Sequence, residues 1–409
     1  MTGMTTPTNL HAPLELPCGV VLPNRVAKVA MSEQLADRHG RPLPELVSLY
    51  RRWAASGAGL LITGNVAVQP TQLVEPYNVV VTADDDPTWL GEWVDAAKCH
   101  GAQLFMQLNH PGRQALRAVA GRSLAPSAVS PRQRMLRSAL ARPIEMTVAD
   151  IGRTIKAFAA STAVAEPAGF DGVEVHAAHG YLLSQFLSPL TNHRHDSWGG
   201  SIERRSRILI EVVRAIRGRV GRRFAVAVKL NASDFEDGGF SVGDAVRVAT
   251  SLQAEGIDPL EVSGGSGSYW LHLLGGATPT AGYFTTSVEH VRHAVDVPVM
   301  LTGGLRDGTV VRELVERGAV DVIGLARPFA VDPHAARQLL AGGTLDDIAK
   351  PRRSAVRAVG AALSSPWHQQ QLRRLGRGLE PDPGRGRVRT AARLAEMQLR
   401  WRTGGNPAL

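Results

Sequence analysis

Cysteine is almost absent from this sequence. Cys18 and Cys99 are the only two, and no short spacing joins them. That argues against a disulfide framework, a zinc ribbon and a cysteine-held iron–sulfur cluster, and a reducing, cytoplasmic setting is expected. No apolar run approaches the roughly 18 residues that cross a bilayer. The start, Met1-Thr-Gly-Met-Thr-Thr-Pro, lacks the basic and apolar regions of a signal peptide, so no membrane association is expected. Lysine is scarce too: Lys28, Lys98, Lys156, Lys229 and Lys350 are all there are, so arginine carries most of the basic charge behind the net +9. It gathers near the end, at Arg373, Arg374, Arg377, Arg385, Arg387, Arg389, Arg393, Arg400 and Arg402. No recognition-helix, RNP or zinc-finger pattern accompanies it, and nucleic acid is not an expected partner. A solvated basic tail is the plain reading. Contact with an anionic cofactor or a neighbouring subunit is the other, which leaves room for a homo-oligomer.

What is present is a rhythm. Eight β-rich runs recur: Val26–Met31, Leu60–Val68, Gln103–Leu108, Gly172–His176, Phe224–Leu230, Leu260–Ser263, Val297–Leu301 and Val320–Leu325. Helical patterns lie between most of them. Ile151, Ile155, Phe158, Ala159 and Thr162 share a face behind a capping box at Thr147 and Asp150. Val310, Val311, Leu314 and Val315 make another, with Asp307 as N-cap and Gly318 as stop. Alternation of this kind over 409 residues predicts an α/β fold, a closed (β/α)8 TIM barrel over residues 1–345. Residues 346–409 read as a basic helical C-terminal extension: a helix from Ala355, a Pro381–Gly386 linker, and a second helix from Thr390. Two connections exceed ordinary turns, Pro111–Thr147 and Gly180–Ile202, and the first is expected to be a lid.

Barrel chemistry sits where strands end, and the polar oddities collect there. Met31-Ser32 ends the first strand, Thr63-Gly64-Asn65 lies in the second, and Gln107 and His110 end the third. His176, His179 and Tyr181 end the fourth, and Lys229 and Asn231 the fifth. Gly264-Gly265 follows the sixth, Gly303-Gly304 the seventh and Ala326-Arg327 the eighth. Glycine backbone and one guanidinium after strands seven and eight suit a phosphate. No G-x-G-x-x-G follows a strand, so a nucleotide cofactor of FMN size would be held by the barrel mouth itself. His176-x-x-His179 is open to three interpretations: a metal pair needing Glu174 or His110 as third ligand, two structural histidines, or two donors to one substrate oxygen. Tyr181 favours the last, because a phenol is a proton donor and a poor zinc ligand. Lys229 ends an apolar strand, where a cation would stabilise negative charge on a bound ring, and Gln107 is placed to hydrogen-bond the same edge. Glu203, Arg204, Arg205 and Arg207 read as structural ion pairing, and Asp196 with Gly199-Gly200 as loop shaping.

With these residues assembled, the chain resembles the old yellow enzyme family of FMN-dependent ene-reductases, the NADH:flavin oxidoreductases. The likeness spans Leu14 to Leu345. It is most specific in the run from His176-Ala-Ala-His-Gly-Tyr-Leu-Leu-Ser-Gln-Phe through Asp196-Ser-Trp-Gly-Gly-Ser-Ile-Glu-Arg-Arg. Pro23-Asn-Arg-Val, Gln107-Leu-Asn-His-Pro-Gly-Arg113, Val228-Lys-Leu-Asn and Ala326-Arg327-Pro support it. The resemblance implies bound FMN, reduced by NADH or NADPH, passing hydride to the activated alkene of a small α,β-unsaturated carbonyl compound. It implies that His176 and His179 hold the carbonyl oxygen and that Tyr181 supplies the proton. By the same likeness Gln107 and Lys229 contact the flavin ring, and Ala30, Met31 and Ser32 flank it. Gly304, Ala326 and Arg327 take the phosphate, and Gly303 and Asn65 join the cofactor candidates. Ser32 stands where relatives often carry Cys or Thr, a position that bears on flavin potential. No cysteine cluster follows the barrel, which argues against the dienoyl-CoA reductase and amine dehydrogenase branches. Two alternatives remain from the residues themselves, a metal-dependent barrel lyase or hydrolase using His176 and His179, and a flavin-binding protein with incidental turnover.

Overall fold

The structure is a computed structural model describing residues 9–131, 134–264, 285–351 and 357–405. Eight parallel strands form its centre: β1 (Val26–Lys28), β2 (Leu60–Ile62), β3 (Gln103–Asn109), β4 (Gly172–Ala177), β5 (Ala225–Asn231), β6 (Leu260–Ser263), β7 (Val299–Thr302) and β8 (Val322–Leu325). Each pairs with its sequence neighbours, and β8 returns to β1 with Ile323 opposite Val26, so the ring closes. Around it lie α1 (Pro44–Ala54), α2 (Gly91–Lys98), α3 (Val148–Ala165), α4 (Ile202–Arg217), α5 (Val242–Ala254), α6 (Thr285–Arg292), α7 (Gly308–Glu316) and α8 (Ala335–Leu340). The expected (β/α)8 barrel is therefore the fold. Two further helices, α9 (Arg357–Gly376) and α10 (Arg387–Arg402), follow it. Among the described residues no helix is long and apolar enough to cross a membrane.

Local chemistry accounts for the helix starts. Thr147 accepts from the Asp150 N–H while Asp150 accepts from Thr147, the expected capping box of α3. Asp307 caps α7 by accepting from the N–H groups of Thr309 and Val310. Gly318 follows that helix at φ +70°, a left-handed stop that glycine adopts without strain.

Side chains alternate along each strand between lumen and helix layer. In β5, Ala225 and Ala227 face the lumen, while Val226, Val228 and Leu230 pack under the helices. The lower lumen is apolar, filled by Ala27, Leu60, Phe105, Met300 and Val322. A hairpin of Leu14–Glu15 and Val21–Leu22 adds Leu16 and Leu22 to that cluster. Lys28 faces the helix layer instead. Its ammonium donates to the Ile62 carbonyl at 2.8 Å and lies 4.0 Å from the Trp53 ring centroid. Burial, partly offset by Glu33, lowers its pKa to about 8.

Two expectations change. β2 stops at Ile62 rather than running to Val68, and Val66–Ala67 then pairs with β3 on its own. The break is held by side chains: Thr63 Oγ1 accepts from the Gln107 N–H at 2.9 Å, and Glu33 accepts from the Gly64 N–H at 2.9 Å. The connection Pro111–Thr147 carries its own parallel ribbon, Arg122–Ala125 beside Arg142–Glu145. None of its described residues lines the cavity at the barrel mouth, where a lid is expected from the sequence; Gln114 instead braces the site from outside, donating to the His179 carbonyl at 2.7 Å. Arg194 ties that ribbon to the next long loop: it donates to the Met146 carbonyl at 2.6 Å, to the Pro126 carbonyl at 3.1 Å, and pairs with Asp196.

Gly172 shows how tightly the lumen is filled. A Cβ there would sit 2.7 Å from the Ala225 Cβ and 3.0 Å from the Phe105 ring. Gly172→Ala is expected to destabilise by about 2 kcal/mol or more, read by urea unfolding. A change within ~0.5 kcal/mol would show that Phe105 has room to move.

Candidate active site

A cavity of about 320 Å³ opens at the C-terminal end of the strands. Every cofactor and catalytic candidate from the sequence lines it. Ala30, Met31 and Ser32 come from the end of β1, Asn65 from the break in β2, Gln107 from β3 and Lys229 from β5. His176, His179 and Tyr181 follow β4, with Gly303 and Gly304 after β7 and Ala326 and Arg327 after β8. Neither cysteine is among the lining residues. Gly265 lies outside the described residues, and Asn231 acts behind the wall.

The histidines are held from behind. Their rings stand edge to face with centroids 5.1 Å apart, and Tyr181 lies 4.9 Å from His176. The Ala178 N–H donates to His176 Nδ1 at 3.2 Å, so the neutral ring carries its proton on Nε2 and that nitrogen is a donor. His179 has a left-handed backbone, φ +59°, which costs a non-glycine residue about 1–2 kcal/mol. Two side chains fix it: Asn231 Oδ1 accepts from its N–H at 2.9 Å, and Gln114 donates to its carbonyl at 2.7 Å. His179 Nε2 lies 2.8 Å from Ser263 Oγ. Burial lowers the pKa of both imidazoles well below the usual value; for His176 the next cause is His179 and then Lys229, for His179 it is Lys229. Both rings are therefore neutral at pH 7. Burial, then Glu75, raises the Tyr181 pKa, so its phenol stays protonated.

Beneath them lies an ionic layer. Lys229 Nζ donates to Glu261 Oε1 at 2.5 Å with both side chains buried. Gln107 donates to Glu174 at 3.2 Å. Burial and then Glu261 push the Glu174 pKa up, which favours its neutral acid form. Glu174 is thus engaged within the layer and does not serve as a third ligand. Among the described residues no three metal-binding side chains converge.

The far end of the cavity is cationic. Arg327 has no carboxylate partner among the described residues, and burial lowers its pKa. Arg306 donates to the carbonyls of Leu345 and Ile348, and burial followed by repulsion from Arg327 lowers its pKa to about 10. Two guanidiniums pressed together at a cavity wall suit an anion. Gly303 and Gly304 have φ +130° and +71° and bring bare backbone to the same place. A Cβ on Gly324 would lie 2.0 Å from Thr302 Oγ1, so the floor admits no side chain there. Asn65 Nδ2 and Thr302 Oγ1 are buried without protein partners. A planar ring with polar edges and a phosphate at one end fits this donor set, which FMN has.

Several lining residues escaped the sequence reading. Glu75 accepts from Gln369 at 2.9 Å and is hydrogen-bonded to Ser32. Arg306, Ser263, Ser364, Ser365 and His368 also line the cavity. Ser263 and Arg306 lie within a few residues of strand ends and were findable by that rule. The last three belong to α9 and gave no signal. Of the four residues read as ion pairing at the α4 entry, Glu203 pairs with Arg247 at 3.9 Å and Arg205 with Asp244 at 3.5 Å, while the Arg207 guanidinium lies 4.8 Å from the Trp198 ring centroid.

Comparison with known proteins agrees with this geometry. The model of the NADH:flavin oxidoreductase / NADH oxidase family matches residues 9–345. The chain is 34% identical over 397 residues to the NADH-dependent flavin oxidoreductase iliE of Hypocrea jecorina (strain QM6a), covering 89% of this chain and 96% of that protein. It is 33% identical over 323 residues to the NADPH dehydrogenase of Halalkalibacterium halodurans, covering 78% and 90%. The solved structure of morphinone reductase shares the fold, with a TM-score of 0.71 at 23% identity over 84% of this chain and 92% of that one. The chain belongs to the NADH:flavin oxidoreductase family, that of old yellow enzyme, and is an FMN-dependent NAD(P)H oxidoreductase.

Proposed function

We propose that the protein reduces the activated C=C bond of small α,β-unsaturated carbonyl compounds. When bound, FMN supplies the hydride, taken from NADH or NADPH. The chain supplies the rest. Hydride arrival at the β carbon moves negative charge onto the carbonyl oxygen, and the imidazoles of His176 and His179 receive that oxygen. They are neutral and already held, the rings by the Ala178 N–H and Ser263 Oγ and the His179 backbone by Asn231, so they need little reorganisation as charge develops. Tyr181 gives its phenolic proton to the α carbon. Gln107 and Lys229 hold the ring's polar edge, Ala30, Met31, Ser32 and Asn65 bound it, and Gly303, Gly304, Ala326 and Arg327 hold the phosphate. Residues 1–345 form the catalytic barrel and 346–409 an appended extension. The observation that carries this reading is the Ala178 N–H on His176 Nδ1, which turns Nε2 into a donor beside a second imidazole and a phenol.

Three outcomes test it. Anaerobic protein reduced by NADPH or NADH should be reoxidised by a cyclic enone; a flavin that stays reduced would make it a carrier. His176→Ala should lower the rate of enone reduction on the order of 10²-fold with flavin still bound, as measured by stopped-flow absorbance. Unchanged enone affinity and rate would remove the residue from the reaction. Tyr181→Phe should slow reoxidation by enone while flavin reduction by nicotinamide proceeds at its normal rate; equal slowing of both halves would point to damage of the cavity instead.

A further inference from the structure

The arginine-rich extension reaches the barrel mouth. Helix α9 lies against α1 and the turn Arg327–Ala330. Two side chains tie it down: Gln369 donates to Glu75 at 2.9 Å, and Arg373 donates to the Gln34 carbonyl at 3.0 Å. Ser364 and His368 stand one turn apart on one face, where i and i+4 positions align. With Ser365 they line the cavity that Arg306 and Arg327 also line, and the charge of both guanidiniums acts on His368. The only carboxylate among the described lining residues, Glu75, is held between Ser32 and Gln369 of α9. Pro366 interrupts the helix ladder between these residues, an interior position that ordinarily costs about 3 kcal/mol.

We propose that α9 is part of the cofactor site, with Ser364, Ser365 and His368 closing over the FMN phosphate held by Arg306 and Arg327. This rests on FMN lying with its phosphate at Arg327. The hydroxyls of Ser364 and Ser365 donate to phosphoryl oxygens. His368 Nδ1 donates to the Ser364 carbonyl at 2.8 Å, so Nε2 is the ring's bare nitrogen. Beside two guanidiniums the ring stays neutral, its pKa lowered to about 3 by burial and then by those arginines. A phosphate dianion reverses that balance. The ring takes a proton from solvent at Nε2 and donates it to a phosphoryl oxygen. A segment outside the barrel thereby controls how firmly the barrel keeps its cofactor.

The test compares FMN with riboflavin, which lacks only the phosphate. Flavin-free full-length protein is titrated with each, followed by quenching of flavin fluorescence. His368→Ala should weaken FMN binding on the order of 10-fold and change riboflavin binding less than about twofold. Ser365→Asp, at an exposed position that tolerates substitution, places a carboxylate beside the phosphate and should produce the same FMN-selective loss. Should His368→Ala fail to fold by circular dichroism, the Ser365→Asp titration decides. Unchanged FMN affinity, or equal losses for both flavins, would overturn the proposal. A wild-type chain that binds the two flavins equally would instead displace the phosphate from Arg327, the premise beneath it. A wild type that prefers FMN, with both variants unaffected, would remove α9 alone.

Discussion

The buried ammonium of Lys229 is the constraint on which the mouth of the barrel depends. Two residues along β5, on the same face, separate Ala227 in the apolar lumen from this cation. Removing an ammonium and a carboxylate from water costs several kcal/mol each, and a contact at 2.5 Å between Lys229 and Glu261 offsets that only while both partners remain. The layer also acts upward. Its positive charge helps to keep both imidazoles unprotonated, and His176, whose Nδ1 accepts from the Ala178 N–H, presents a directed donor rather than a counter-ion. The stability of the layer and the charge state of the imidazoles thus share one lysine.

Charge is graded along the cavity. Neutral imidazoles and a protonated phenol gather at the end of β4. Guanidiniums crowd the opposite end, where their mutual repulsion awaits an anion. Glu75 lies between the β1 end and α9, joined to Ser32 on one side and Gln369 on the other. The wall therefore includes a helix that follows the barrel in sequence, and the boundary near residue 345 divides the chain without dividing the cavity.

Much of this was legible in the residues. Short β-rich runs located all eight strands, because a closed parallel barrel buries both faces of each strand and so keeps those runs apolar. The rule that chemistry lies at strand ends collected His176, Lys229 and Arg327 although they are far apart in sequence. The break at Thr63–Asn65 was not legible, since it depends on Glu33 and Gln107 reaching it from other strands' ends. Nor was the ribbon within Pro111–Thr147, whose parallel pairing joins segments that share no turn. The position of His368 was hidden for the same reason: a helix's docking site depends on the partner surface, and its own pattern of arginines and glutamines reads as solvated.

The residue at the end of β1 has a chemical consequence. Electrophilic alkenes add readily to thiolates, and a cysteine facing them would be alkylated in proportion to its ionised fraction. This cavity presents the hydroxyl of Ser32 at that place, and both thiols of the chain lie elsewhere. Under the proposed function, an activated alkene resting here would meet no thiol that could capture it, and the centre would be spared alkylation by its own substrate.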